Sequence, residues 1–400
     1  MRGNSSRRTG VPAVMMAVLL AAAFAVAGCG SDSDDESSAS STGTNTKGEG
    51  IRAGSGDRAE KAKTAGQQAA EEVGGPVELK PQTIGIINFL DGIESSDRLK
   101  STATLAAKDL GWEVLQCDGK GTPAQFVACG NQLLDRGVAG IIEIAIEPGQ
   151  IQPVLDKANA KKIPVIQVGG GSVPNGDLAG NYGPDETRAG QLLSDEIFKQ
   201  LGSEGGDVAI QDFPAAWGAT RTDAFRKDVK GQDAVKITAD YQTDAANLVP
   251  FTRKAVADNL TKNPDLKAYW FTFDTTGQVG GQVIQAKYPG KQFPDRPLVT
   301  TFHADLGTIE LMRKGAIDVT SDVNYDAASW MGIDQMAEFF ARGTEPSKEN
   351  QPDWPVVGDL FTYEIINKDN LPPEGEYVQP EWDVPTYFQS KWDAEFKSGS

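Results

Sequence analysis

A chain of 400 residues, 39% hydrophobic and 24% charged, is long enough for two ordinary domains. Its formal charge of −18 repels nucleic acid and anionic lipid, so no nucleic-acid partner is expected. Three cysteines without a CxxC pair, and a single histidine, argue against a zinc site, a redox centre or another cofactor.

In chain order, Arg2, Arg7 and Arg8 precede an apolar stretch from Pro12 to Gly28, which closes on Val26-Ala27-Gly28 before Cys29. A positive start, a short apolar segment and a small-residue exit are the parts of a secretory signal. The stretch is short for a membrane span and lacks a charged stop-transfer flank. With a cysteine next, the run resembles a bacterial lipobox. The resemblance implies a signal peptide over 1–28 and lipidation of Cys29, whose acyl chains hold the protein on the outer face of the cell membrane. Residues 29–80 are mostly Ser, Gly, Asp, Thr and Glu, with few large apolar side chains. They read as a disordered tether in which Arg58 to Val73 forms a transient helix.

From Thr83 short apolar runs alternate with amphipathic stretches. Ile84 to Phe89 is apolar except for Asn88, the pattern of a strand buried on both faces. Helical spacing over Asp97 to Leu110 stops at Gly111, and Glu113 to Cys117 reads as the next strand. Thr122-Pro123-Ala124-Gln125 then supplies an N-cap, a proline at the first helical position and a reciprocal capping side chain. Cys117, at that strand's end, and Cys129, in the following helix, are read as a disulfide stapling strand to helix. The alternative is two separate buried thiols. Strands at Gly140 to Ile146 and Pro164 to Val168 flank a helix over Gly149 to Asn159. The unit repeats after Asp185, with a helix to Leu201 and strands near Val208, Ile237, Trp270, Val299 and Val319. Such alternation predicts an α/β fold of two doubly wound parallel-sheet lobes, the chain changing lobe near Gly183.

The strand Thr83-Ile84-Gly85-Ile86-Ile87, the run Leu110-Gly111-Trp112 with Asp118, and Ile163-Pro164-Val165-Ile166 come in a telling order. Asp185 with Ala189-Gly190, Arg221-Thr222-Asp223-Ala224-Phe225, Asn263-Pro264-Asp265-Leu266-Lys267-Ala268 and Lys314-Gly315 continue it. In order and spacing the chain resembles the ribose- and galactose-type (type I) periplasmic solute-binding proteins of bacterial ABC importers. The resemblance implies a three-crossing hinge, with one lobe at 81–183 plus 323–355 and the other at 184–322 plus 356–372; the remaining tail at 373–400, rich in Pro, Trp and Tyr, is expected to pack across the hinge side.

Ligands of parallel sheets sit where strand carboxyl ends converge, so the residues just after each strand are the candidates. After the first strand these are Asp91, Glu94, Ser95 and Ser96, with helix capping by Ser96 as the alternative. After Val168 come Gly169 and Gly170, which let backbone approach a ligand. Trp217 offers a ring face, and Arg221 a guanidinium fork or else a structural ion pair. Asn247, then Phe273 and Asp274, follow later strands, Asp274 serving otherwise as a helix cap. His303 follows the run Leu298 to Phe302, where sugar-binding relatives place an aspartate; a neutral imidazole brings one donor and one acceptor. Asp322 and Asn324 lie at the last crossing.

No Gly-x-Ser-x-Gly elbow is present, and no enzyme is expected. The chain reads as a monomeric, lipid-anchored, extracytoplasmic solute-binding protein. It would capture a small polar ligand, a sugar or polyol, between its lobes and pass it to ABC permease subunits. Two readings compete: a ligand-sensing lipoprotein serving a receptor or sensor kinase, and a binder of an amine or nucleoside held by Asp91, Glu94 and Asp274 near Phe213 and Trp217.

Overall fold

Two parallel sheets carry the architecture in the computed structural model, which describes residues 45–171 and 176–398. The signal peptide, Cys29 and the first part of the expected tether lie outside these residues.

The described chain opens with α1 (Asp57–Glu72) and β1 (Val77–Leu79). The first lobe runs β2 (Thr83–Asn88), α2 (Glu94–Asp109), β3 (Glu113–Asp118), α3 (Pro123–Asp135), β4 (Gly140–Ile144), α4 (Gln152–Ala160), β5 (Val165–Val168) and β6 (Gly180–Tyr182). Its five strands are parallel in the order β3-β2-β4-β5-β6. Ile84, Ile86 and Ile87 on β2 are fully buried because helices cover both faces of the sheet. Proline does take the first position of α3, but Thr122 caps it without a side-chain bond. Cys117 at the end of β3 is disulfide-bonded to Cys129 on α3.

The second lobe runs α5 (Glu186–Leu201), β7 (Gly206–Asp212), α6 (Ala216–Val229), β8 (Val235–Gln242), α7 (Leu248–Lys262), β9 (Ala268–Phe271), α8 (Asp274–Lys287), β10 (Leu298–Phe302), α9 (Leu306–Arg313) and β11 (Val319–Val323). α10 (Asp326–Arg342) then returns to pack on α2 and on β4 to β6, before β12 (Tyr363–Asn367) rejoins the second sheet. That sheet is ordered β12-β11-β10-β9-β7-β8, with β12 antiparallel to β11, a departure from the all-parallel expectation. The chain ends in α11 (Val384–Glu395) and β13 (Phe396–Ser398). Among the described residues no helix is long and apolar enough to cross a membrane.

The disordered tether expected up to residue 80 requires correction from residue 45 onward. α1 lies against α11, and β1 pairs in parallel with β13. Alanines 59, 62, 65, 69 and 70 form the buried face of α1, and a Cβ on Gly66 would collide with the Tyr387 carbonyl. Small residues let the helices approach closely, while α11 contributes the bulk: Tyr387, Phe388 and Trp392, all buried. A composition poor in large apolar residues therefore folds because its partner segment supplies them.

The tail does not lie only on the hinge side. Phe388 and Trp392 pack at 6.1 and 5.5 Å from Trp330 of α10, on the first lobe. Buried Lys391 joins them, paired with Asp334 at 2.8 Å and Glu338 at 3.0 Å. Upstream, residues 45–54 touch both lobes. Lys47 reaches Glu310 of α9 at 2.8 Å, and the Ile51 amide donates to Asp326 at 3.1 Å.

Candidate functional site

A cavity of about 790 Å³, counting its solvent-open mouth, lies between the lobes where strand carboxyl ends converge. Phe89 follows β2, Ala145 follows β4, Gly169 follows β5, Phe213 follows β7, Phe273 follows β9 and His303 follows β10. Each crossover in a parallel sheet leaves the strand at this end, so the topology delivers one loop after another to the same cleft.

One wall is aromatic. Phe213 and Trp217 stack at 5.1 Å and 15°, and Phe273 meets Phe213 edge-on at 5.1 Å. Phe89 approaches Phe213 from the other lobe at 6.3 Å. The Trp217 Nε1 donor is buried without a hydrogen-bond partner among the described residues.

The floor is polar and charge-balanced. Arg221 forks onto Glu186, with Nη2 2.8 Å from Oε1, and donates to the Thr272 carbonyl at 3.1 Å. Its Nη2 also faces Nε2 of His303 at 3.2 Å. The His303 ring stands edge-on to Tyr325 at 4.5 Å. Burial, and then the Arg221 and Arg98 cations, push the His303 pKa well below its ordinary value, so the ring is neutral. Burial raises the pKa of Glu186, while Arg221 opposes the shift.

Beside the cavity, side chains of the first lobe meet the second. Glu94 accepts from the Gly307 amide at 3.0 Å, Ser95 donates to Asp274 at 3.4 Å, and Arg98 pairs with Asp305 at 3.1 Å. Glu147 accepts from the Ala216 amide at 2.7 Å, where the N-terminus of α6 favours an anion. Burial, reinforced by the Asp305 charge, lifts Glu94 to about 7 and Asp274 well above the usual carboxylate range. These contacts hold the lobes together in a closed arrangement.

Residues 84–344 match the model of the periplasmic binding protein domain. The chain belongs to the periplasmic binding protein family. Members of this family are non-enzymatic components of transport systems. Among solved structures, an ABC transporter solute-binding protein from Mycobacterium smegmatis with bound glycerol superposes with a TM-score of 0.63. It is 19% identical, covering 75% of this chain and 100% of that one. A solute-binding protein from Bacillus halodurans C-125 with bound myo-inositol gives 0.60 at 17% identity, over 74% and 97% of the two chains. These two likenesses show the fold. A curated xylitol-binding protein from Mycolicibacterium smegmatis is 31% identical over 81 residues, 20% of this chain and 23% of its own length. The match to that relative thus spans less than a quarter of it.

In this binding protein Ser95, Ser96, Gly169, Trp217, Arg221, Phe273 and His303 come together around the cavity. Gly169 takes φ +69°, a conformation that favours glycine. Ser96 is no helix cap; it sits inside α2 and donates to Asn88 at 2.6 Å. Arg221 makes the structural ion pair and lines the cavity as well. Glu94 and Asp274 belong to the seam beside it.

Five expected site residues lie elsewhere. Asp91 is exposed and ion-paired to Lys100 at 2.7 Å, and Asn247 is exposed and bonded to Asp244 at 2.9 Å. Both sit between lining residues but turn to solvent: Leu90 and Ile93 flank Asp91, and Ala245 and Leu248 flank Asn247. Asp322 is spent on the Ala304 amide at 2.7 Å. Asn324 stitches the crossing, donating to the Leu360 carbonyl at 2.9 Å and accepting from the Thr362 amide at 2.7 Å. Gly170 is absent from the lining, where Gly169 alone of the pair faces the cleft.

Sequence reasoning missed Phe89, Glu186 and Tyr325 in the lining. Phe89 carried a signal, being the residue just past β2. Glu186 hid behind Asp185, whose role is to cap α5 by accepting from the Arg188 amide at 3.0 Å.

Proposed function

We propose that this protein captures a small, uncharged, hydroxylated ligand, a sugar or polyol, between its lobes and delivers it to an ABC importer, anchored outside the cell membrane by lipid on Cys29. The cavity carries this reading. Its aromatic wall of Phe213, Trp217 and Phe273 suits the C–H faces of a carbon skeleton, and its floor offers hydrogen-bonding groups. The Arg221 cation in its lining is matched within the protein by Glu186. His303 is neutral, so no unbalanced charge awaits an ionic ligand. The amine reading requires ionised acids at the cleft. Asp91 is outside it, burial favours the neutral form of Asp274, and Glu94, lifted to about 7, is engaged by the Gly307 amide in the seam.

The xylitol-binding relative and the glycerol- and inositol-bound neighbours support the same ligand class. Contacts to both lobes would favour the closed state, because a ligand shifts such an equilibrium only by its differential affinity. A thermal-shift screen over sugars, polyols, amines and nucleosides tests the proposal. A ligand at 100 times its dissociation constant adds about 2.7 kcal/mol, a readable rise in melting temperature. A rise with amines or nucleosides alone would overturn the carbohydrate assignment. Loss of membrane association in Cys29→Ala tests the anchor, and retention of it would remove the lipid.

A further inference from the structure

Arg221 and His303 meet in a way that decides which hydrogen bonds the cavity can make. A guanidinium carries only N–H donors, so Nε2 of His303, 3.2 Å from Arg221 Nη2, must be the acceptor. The proton of a neutral ring then resides on Nδ1. Arg221 cannot swing away easily. It is 3% exposed, forked onto Glu186 and bonded to the Thr272 carbonyl. His303 is equally constrained: its amide donates to the Ser321 carbonyl at 2.9 Å, its backbone sits at φ +65°, and Tyr325 packs against the ring. Nδ1 is buried and has no hydrogen-bond partner among the described residues, in a side chain that lines the cavity.

We propose that Arg221 locks His303 in the Nδ1–H tautomer, so that this position offers the ligand one donor and no acceptor. The ligand must therefore present an oxygen lone pair there, from a hydroxyl, ether or carbonyl. An ammonium, which has no lone pair, is refused at this point. The inference narrows the ligand chemistry and rests on the cleft being the binding site. It also replaces the dual donor and acceptor role expected for a neutral imidazole. The groups facing the ring are Arg221 from α6, Arg98 from α2 and Tyr325 ahead of α10. Both cations oppose a second ring proton, which favours the neutral form across the ordinary histidine range.

The chain holds a single histidine, so imidazole ¹⁵N labelling of the intact protein gives one pair of nitrogen signals. The expected spectrum shows a protonated Nδ1 and an unprotonated Nε2, unchanged from pH 8 to pH 5. An Nε2–H form, or an imidazolium appearing near pH 6.5, would overturn the proposal. In Arg221→Met an Nε2–H population should emerge; an unaltered spectrum would deny Arg221 its positioning role. Xylitol serves as the ligand probe. His303→Phe, which removes the ring N–H donor and keeps an aromatic ring, should weaken its binding roughly 10- to 100-fold, whereas equal or tighter binding would contradict the donor assignment. Failure of the underlying cleft reading looks different: no sugar or polyol would bind the parent protein, whichever tautomer the spectrum records.

Discussion

Arg98 of the first lobe and Asp305 of the second lie 3.1 Å apart, with side chains 3% and 0% exposed. Arg98 also pairs with Asp326 at 3.0 Å and lies 4.0 Å over the Tyr377 ring. One guanidinium thus ties together α2, the start of α9, the hinge entry to α10 and the C-terminal segment. Burying such charges is tolerable only while each is matched. Arg98→Met leaves two acids without their cation and should cost about 3–5 kcal/mol in a urea melt. Asp305→Asn should cost less, because Asp326 still holds the arginine. Equal small losses below about 1 kcal/mol, the level of surface pairs, would contradict a lobe-locking role.

Glu94 gives the closed state a pH dependence whose sign follows from its environment. Its folded pKa is held up to about 7 against an ordinary 4.5, chiefly by burial. Between those values the folded state keeps a proton that the unfolded chain releases, so stability falls as pH rises. Below pH 4.5 both states are protonated, and above pH 7 both are ionised and the full penalty stands. That penalty is at most roughly 3–4 kcal/mol. Glu94→Gln removes it, so the melting temperature of the variant should gain on the parent from pH 4.5 to 7 and run parallel above. A constant difference across that window would contradict the assignment.

Trp217 is the aromatic surface with most to offer a ligand, stacked on Phe213 and braced by Phe273 at 5.7 Å. Trp217→Ala should weaken sugar or polyol binding by roughly 10- to 100-fold, the loss of about 1–3 kcal/mol. Calorimetric titration reads this directly. An unchanged dissociation constant would place the ligand away from the aromatic wall.

The terminal layer makes its own prediction. Phe388 is fully buried between Tyr387, Trp330 and Trp392. Phe388→Ala should cost about 3–5 kcal/mol and open residues 45–75 to proteolysis. Protection equal to that of the parent would mean α1 is held without α11.

Much of this site was legible because parallel sheets deliver strand ends to one cleft, so a residue's offset from a strand located Trp217, Phe273 and His303. Offsets do not fix which way a loop side chain turns: Asp91 and Asn247 lie between lining residues yet face solvent. Contacts between distant segments left no local pattern. Arg98 is 207 residues from Asp305, and nothing in the helical spacing of α2 marks it as the residue that crosses between lobes. The helix α1 was expected over Arg58 to Val73, but the same blindness hid its packing, since its alanines and glycine bury a face only against a helix more than 300 residues later. Strand β6, only three residues long, fell below any periodic signal.

The central claim is that the cleft between the two lobes binds an uncharged polyhydroxylated molecule. Calorimetric titration of the parent protein and Trp217→Ala with xylitol, glycerol, myo-inositol, D-arabinose and a matched set of amines and nucleosides tests it most directly. At least one polyol or sugar should bind the parent saturably at one site per chain, and bind Trp217→Ala at least tenfold more weakly. Saturable binding confined to amines or nucleosides, or polyol binding indifferent to Trp217, would contradict it.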